Sequence, residues 1–166
     1  MGTAILAGLL RSGADAAQIA ISTKTAASAQ RLTEQFGVTS FALETEPNAN
    51  SKATVSADLI LLAVKPAYVL EVLGEIAPSV EASALVISVA AGVTTTAMQD
   101  RLPETVAVIR SMPNTPAIVG RAVTGLAAGS RATTSHLTQA TELFETIGRV
   151  LVVGEDQIDK LSTISG

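Results

Sequence analysis

Between Asp58 and Lys65 the chain runs Leu59-Ile60-Leu61-Leu62-Ala63-Val64 with no polar interruption. Six apolar residues bounded in this way read as a strand, and unbroken apolarity requires both faces to be covered, as in a parallel sheet with helices above and below. Ala84 to Ala90 repeats the pattern, and Thr105 to Ile109 adds another strand-like run. Neighbouring parallel strands need long crossovers, usually helical. Helices are accordingly expected over Ala67 to Ile76, stopped by Pro78, and near Thr95 to Leu102. Upstream, Met1 to Ser12 reads as a helix closed by Gly13 and Gln18 to Ser22 as a short strand. Thr25 to Phe36 is an amphipathic helix with Ala29, Leu32 and Phe36 on one face and Gly37 stopping it. Val38 to Ala42 is a strand, and Glu44 to Asn50 a polar loop. Downstream come a strand near Val123 to Ala128, a helix from Thr134 to Ile147, a strand from Arg149 to Val153 and the start of a helix at Asp156 to Ile164. The alternation is that of an α/β chain with a doubly wound, mostly parallel sheet.

The remaining bounds are set by size and charge. A chain of 166 residues, 48% hydrophobic, supports one packed domain. A net charge of −4 and an aromatic content of 2% argue against nucleic acid as a partner. No cysteine and one histidine are present, so thiolate chemistry and a His-rich metal site are excluded. No run approaches the ~18 apolar residues of a membrane span. Arg11 follows the apolar start of the chain, the reverse of a secretory signal, and a cytoplasmic protein is expected.

Candidate chemistry lies in the loops. Gly2 stands where a helix begins, a position that permits close phosphate approach at the positive helix end. The series opens on this helix without a strand before it, so the sheet is expected to lack its first strand. In an NAD-preferring site an acid would stand roughly 20 residues beyond the glycine loop. Here that place reads Ser22-Thr23-Lys24, with no acid between Asp15 and Glu34. Two hydroxyls and a cation can receive a 2′-phosphate, which favours NADPH while leaving NADH possible; Ser22 or Thr23 can equally cap the following helix. Lys65 ends the most apolar strand, and the Ser88 to Thr94 segment offers small residues around Gly92. In Arg110 to Pro116 two prolines stiffen a polar loop, because each fixes φ near −65°. In open α/β sheets ligands bind at the carboxyl ends of strands, where all of these loops fall. His136 reads as a solvent-exposed side chain without a partner, and Tyr68 as half-buried packing. The pairs Glu142 with Glu145 and Glu155 with Asp156 complete no metal-ligand set, and no metal is expected.

Together these segments resemble pyrroline-5-carboxylate reductase. The resemblance rests on Met1 to Ile5 with Gly8 to Leu10, on Ala63 to Pro66, on Ser88 to Thr94, on Met112 to Pro116 with Val119-Gly120, and on Asn50. It implies a Rossmann-like domain over 1–154 and, over 155–166, the start of a helix linking to a C-terminal dimerisation domain. In that family a strand with Gly-x-Gly precedes the position of Met1, and a Gly-Ser-Gly-Pro-Ala-Tyr stretch continues from Ser165-Gly166. The implied reaction is NADPH-dependent reduction of the cyclic imine 1-pyrroline-5-carboxylate to proline, by a homo-oligomer in the full-length protein. The implied cofactor residues are Gly2 at the pyrophosphate, Ser22, Thr23 and Lys24 at the 2′-phosphate, and Asn50 at the adenosine. Ala63, Val64, Lys65 and Pro66, with Ala90, Ala91 and Gly92, would line the nicotinamide ribose path, and Met112, Pro113, Asn114 and Thr115 would stand beside the reactive ring. No residue is assigned as the catalytic acid, and this stretch alone is expected to be inactive. Two alternatives stand: an NADP-dependent dehydrogenase of the β-hydroxyacid type, and a non-catalytic dinucleotide-binding domain.

Overall fold

A computed structural model describes residues 1–158 and Lys160. The chain forms α1 (Gly2–Arg11), β1 (Ala20–Thr23), α2 (Ala26–Phe36), β2 (Thr39–Ala42), α3 (Ala49–Thr54), β3 (Leu59–Leu62) and α4 (Val69–Ile76). It continues through β4 (Leu85–Ser88), α5 (Thr95–Gln99), β5 (Ala107–Pro113), β6 (Ala122–Ala128), α6 (Thr134–Glu145) and β7 (Gly148–Val152). The strands form a five-stranded sheet ordered β3-β4-β5-β6-β7 and a separate two-stranded sheet, β1-β2. Pairing is parallel except between β5 and β6.

Interior strand β4 is buried along its whole length, as continuous apolarity demands. Leu85 and Ile87 pack with Ile5 of α1 and with Phe144 and Leu143 of α6. Val86 faces the other way, against Leu73 and Ile76 of α4 and Met98 of α5. Helices therefore cover both faces. The two-stranded sheet has its own small core, where Leu6, Leu32 and Val38 meet.

Between β1 and β3 lies a cavity of about 820 Å³, lined by Ala20, Ile21 and Ser22 on one side and Leu59 to Leu62 on the other. Among the described residues, β1 and β3 each end a sheet on that side. The apolar block is covered unequally: Ile60 and Leu62 are buried, whereas Leu59 and Leu61, packed against the cluster of Ile5, Leu85 and Ile87, are only half-buried, and all four line this cavity.

Several elements depart from the sequence reading. Thr115–Val119 forms a 3₁₀ segment closed by Gly120 in the left-handed conformation. The resulting link between β5 and β6 is too short for a crossover, so β6 returns antiparallel. That antiparallel ladder carries β5 on to Pro113, so Arg110 to Pro113, read as loop, is strand. Part of the expected polar loop is helix, α3. The Gln18 end of the first expected strand is 3₁₀ instead, because Asp15 caps Ala16–Gln18 by accepting from the Ala17 N–H. Tyr68 is exposed rather than half-buried, since a 3₁₀ turn over Pro66–Tyr68 precedes α4 and places it outside the packed face. His136 has a partner: its Nδ1 accepts from the Thr133 N–H at 3.1 Å and completes a capping box on α6. The expected last helix begins with a turn over 155–158, and its remainder lies outside the described residues apart from Lys160.

Candidate functional site

Register puts Leu62, Ser88 and Arg110 side by side at the carboxyl ends of the parallel strands. From that line the chain leaves β3 as Ala63 to Pro66 and β4 as Val89 to Thr94, while β5 runs on to Pro113 and Asn114. The Lys65, Gly92 and Asn114 segments thus rise from one sheet edge. Ala63, Val64, Lys65 and Pro66 are exposed, as are Ala91 and Gly92, with Ala90 buried beneath them. Gly92 has φ +73°, a left-handed turn that suits glycine. Met112 and Asn114 are half-buried, Pro113 is buried and Thr115 is exposed. Asn114 Oδ1 accepts from the Val123 N–H at 3.0 Å, so part of this side chain is committed to holding the β5–β6 turn.

The start of α1 meets the same edge. A Cβ on Gly2 would stand 3.0 Å from the Cβ of Ala63, so the close approach of helix and strand end needs a small residue there. The first-turn amides of a helix lack intrahelical acceptors, and no acidic residue stands in the first turn of α1 to compete for an anion.

At the end of β1, Ser22 Oγ donates to Asn50 Oδ1 at 2.7 Å, and Asn50 Nδ2 donates to Glu75 Oε2 at 2.6 Å. This chain joins β1, α3 and α4. The cap of α2 is Thr25, which accepts from the Ser28 N–H, and neither Ser22 nor Thr23 fills that role. Thr23 instead donates to the Thr25 carbonyl at 3.0 Å. Lys24 is exposed and forms no ion pair among the described residues. Its neighbour Ala26 donates its N–H to Glu44 Oε2 at 2.8 Å, which puts a carboxylate on the positive end of α2. Sequence reading missed Glu44, since the contact spans 18 positions and no local pattern announces it.

Met1, Gly2, Ser22, Asn50, Ala63 and Val64 all line the cavity between the two sheets. Thr23, Lys24, Lys65, Pro66, Ala90 to Gly92 and Met112 to Thr115 do not line it. The candidate residues therefore fall into three groups: those around the cavity, Thr23 and Lys24 at the end of β1, and the segments that follow β3, β4 and β5 along the sheet edge.

Beneath the segments along the sheet edge lies another group that the sequence did not announce. Arg110 is 1% exposed, and its Nη1 lies 3.2 Å from Glu155 Oε1. Glu155 also accepts from the Thr95 N–H at 2.6 Å and from the Thr95 hydroxyl at 2.7 Å. Burial pushes the Glu155 carboxyl up, but the Thr95 bonds and the Arg110 charge outweigh it and hold the group below the usual carboxylate range. Among the described residues no cluster of His, Cys, Asp or Glu has the makings of a metal site.

A glycine-led helix end, a small-residue sheet edge and a loop of hydroxyls with a lysine suit a phosphate-bearing dinucleotide laid across the strand ends. Comparison with known proteins agrees. Residues 1–92 match the family model described as NADP oxidoreductase coenzyme F420-dependent. The chain is 31% identical over 169 residues to a pyrroline-5-carboxylate reductase from Corynebacterium melassecola and 34% identical over 167 residues to one from Escherichia coli K12. In both cases all of this chain is aligned, and it spans 60% of the relative's length. The solved pyrroline-5-carboxylate reductase from Coxiella burnetii superposes with a TM-score of 0.89 at 31% identity, over 99% of this chain and 60% of that one. The chain belongs to this family of NADP oxidoreductases and is similar along its whole length to the NADP-binding domain of pyrroline-5-carboxylate reductases.

Proposed function

We propose that this chain is the cofactor-binding part of an NADPH-dependent pyrroline-5-carboxylate reductase that makes L-proline from 1-pyrroline-5-carboxylate. The observation that carries the reading is that Gly2, Ser22, Asn50, Ala63 and Val64 line one cavity, and that the Ala63 to Pro66 segment leaves the same sheet edge as the Gly92 and Asn114 segments. Gly2 and the first turn of α1 hold the pyrophosphate. Ser22, Thr23 and Lys24 hold the 2′-phosphate, with Asn50 on the adenosine side. Ala63 to Pro66 and Ala90 to Gly92 guide the nicotinamide ribose, and Met112 to Thr115 support the ring.

When bound, NADPH supplies a hydride to C5 of the imine, while the ring nitrogen gains a proton; the cofactor carries the chemistry and the protein orients it. None of the residues assigned here is a general acid. Pro113 and the Asn114 bond to Val123 keep the ring platform stiff, so little ordering remains for binding to supply. The imine is held by residues of a longer polypeptide, in which 1–154 is the NADP domain and 155–166 starts the helix leading to a dimerisation domain. That protein is a cytoplasmic homo-oligomer. No helix among the described residues is long and apolar enough to cross a membrane.

The sheet is completed by a further strand between β1 and β3. The free sides of those strands, the cavity of about 820 Å³ between them and the half-buried Leu59 and Leu61 support this reading. Such a strand also delivers the turn that leads into Gly2.

Titration of the purified chain with NADPH and NADH by calorimetry tests the assignment. NADPH is expected to bind more tightly, and proline formation from the imine is expected to be absent. Equal affinities would remove the phosphate assignment, and turnover by the chain alone would show that the active site has been misplaced.

A further inference from the structure

Arg110 sits inside the sheet, beside Ser88 of β4 and Ala127 of β6, with its whole side chain enclosed. Met112 to Thr115 continue directly from it. Thr95, which is 3% exposed, opens α5 immediately after the Ala90 to Thr94 segment. Glu155 grips both, reaching Thr95 across 60 positions with bonds of 2.6 and 2.7 Å and Arg110 across 45 positions at 3.2 Å. One carboxylate thus ties the strand carrying one candidate loop to the helix that closes the other, and it does so from the segment that follows β7.

Stability alone does not explain this choice. Arg110 is enclosed while the Glu155 side chain is 31% exposed, and a pair with one charge so desolvated returns little over a well-packed apolar replacement, because the desolvation offsets the attraction. Such a pair does fix direction: the guanidinium and the Thr95 donors allow the carboxylate few positions. Close to the loops, β5 is also tied to β4 by the Ser111 hydroxyl, which donates to the Ser88 backbone carbonyl at 3.1 Å. The spacing of the two loops above the sheet therefore depends on what Glu155 holds below them.

We propose that Glu155 is a positioning residue for the reactive end of the cofactor site: through Arg110 and Thr95 it sets the separation of the Ala90 to Gly92 and Met112 to Thr115 segments. The segment after β7 thereby reports its own docking to the nicotinamide platform. This rests on the reading of those segments as the nicotinamide side of the site.

The test uses the whole chain and two ligands, NADP⁺ and 2′-phospho-ADP-ribose, which has the same phosphates and adenosine but no nicotinamide. In Glu155→Gln, NADP⁺ is expected to bind about tenfold more weakly while 2′-phospho-ADP-ribose changes by less than about twofold. Hydrogen exchange without ligand is expected to speed up in the two loops and to stay unchanged in α2. Thr95→Val, which removes only the hydroxyl bond and keeps the ion pair, is expected to shift both readouts in the same direction by a smaller factor. Equal weakening of the two ligands, or no change in either readout, would overturn the proposal, since a merely structural pair has no reason to distinguish the ends of the cofactor. If the unmodified chain bound neither ligand, the cofactor reading itself would fall, and this inference with it.

Discussion

Ser22 Oγ donates to Asn50 Oδ1 at 2.7 Å, a bond that closes the end of β1 onto α3 across 28 positions of sequence. Asn50 passes the link on to Glu75 in α4. The two-stranded sheet, with few partners of its own, is anchored here at the place proposed for the adenosine. Asn50→Ala removes both bonds and is expected to cost about 1–2 kcal/mol of stability and to weaken NADPH binding more than tenfold. Thermal unfolding and calorimetric titration of the variant check this; unchanged affinity would take Asn50 out of the site.

Lys24 and Glu44 flank the start of α2 with opposite charges, Glu44 resting on the Ala26 N–H. Lys24→Ala is expected to weaken NADPH binding about tenfold with little effect on NADH, because it removes one charge-assisted contact to the extra phosphate. Glu44→Gln is expected to act in the opposite sense, tightening NADPH about two- to fivefold by lifting a like charge from the helix end. Competition titrations with both cofactors measure the two ratios. A Glu44→Gln chain that gained no preference would show that the carboxylate swings clear when the phosphate arrives.

Glu155 makes stability depend on pH in a definite direction. Its carboxyl is held below the ordinary glutamate value in the folded chain by the Thr95 bonds and the Arg110 charge, so the folded state favours the charged form. The contribution is fully present above the unfolded value and is lost as pH falls through the lower folded value. Chemical denaturation at stepped pH is therefore expected to show a decline below about pH 4.5 that is shallower in Glu155→Gln. At pH 7 the same variant is expected to be about 2 kcal/mol less stable, since the buried Arg110 loses one charged partner and Thr95 loses a charged acceptor.

The facing sides of β1 and β3 are expected to be the least protected part of the sheets. Amides of β1, in a two-stranded sheet, should exchange at least about a hundredfold faster than those of β4, which has neighbours on both sides and is buried throughout. Hydrogen exchange read by mass spectrometry or NMR decides this. Equal protection would mean that the space between the sheets closes in solution and needs no further strand.

Local chemistry made much of the molecule legible in its sequence. Gly37, at φ +72°, stops α2 where the glycine stood, and Thr25 caps its start. The apolar runs at Leu59 and Ala84 became neighbouring parallel strands, so their following loops had to share an edge. Both inferences depend on periodicity and on backbone conformations that a few adjacent residues impose. The Met112 to Thr115 segment stands out in the sequence but its form does not: two prolines suggest a stiff loop, whereas pairing with β6 makes the first half a strand.

What the sequence determined alone was the order and type of its strongly patterned elements and the family to which its loop motifs belong, because each is encoded within a few neighbouring residues. Tertiary structure decided the rest: that β6 returns antiparallel, that Glu44 covers the end of α2, and that Glu155 reaches back to Arg110 and Thr95. Each of these joins residues far apart in the chain, and a charge or donor acquires its partner only when packing brings the two together and removes the competing water.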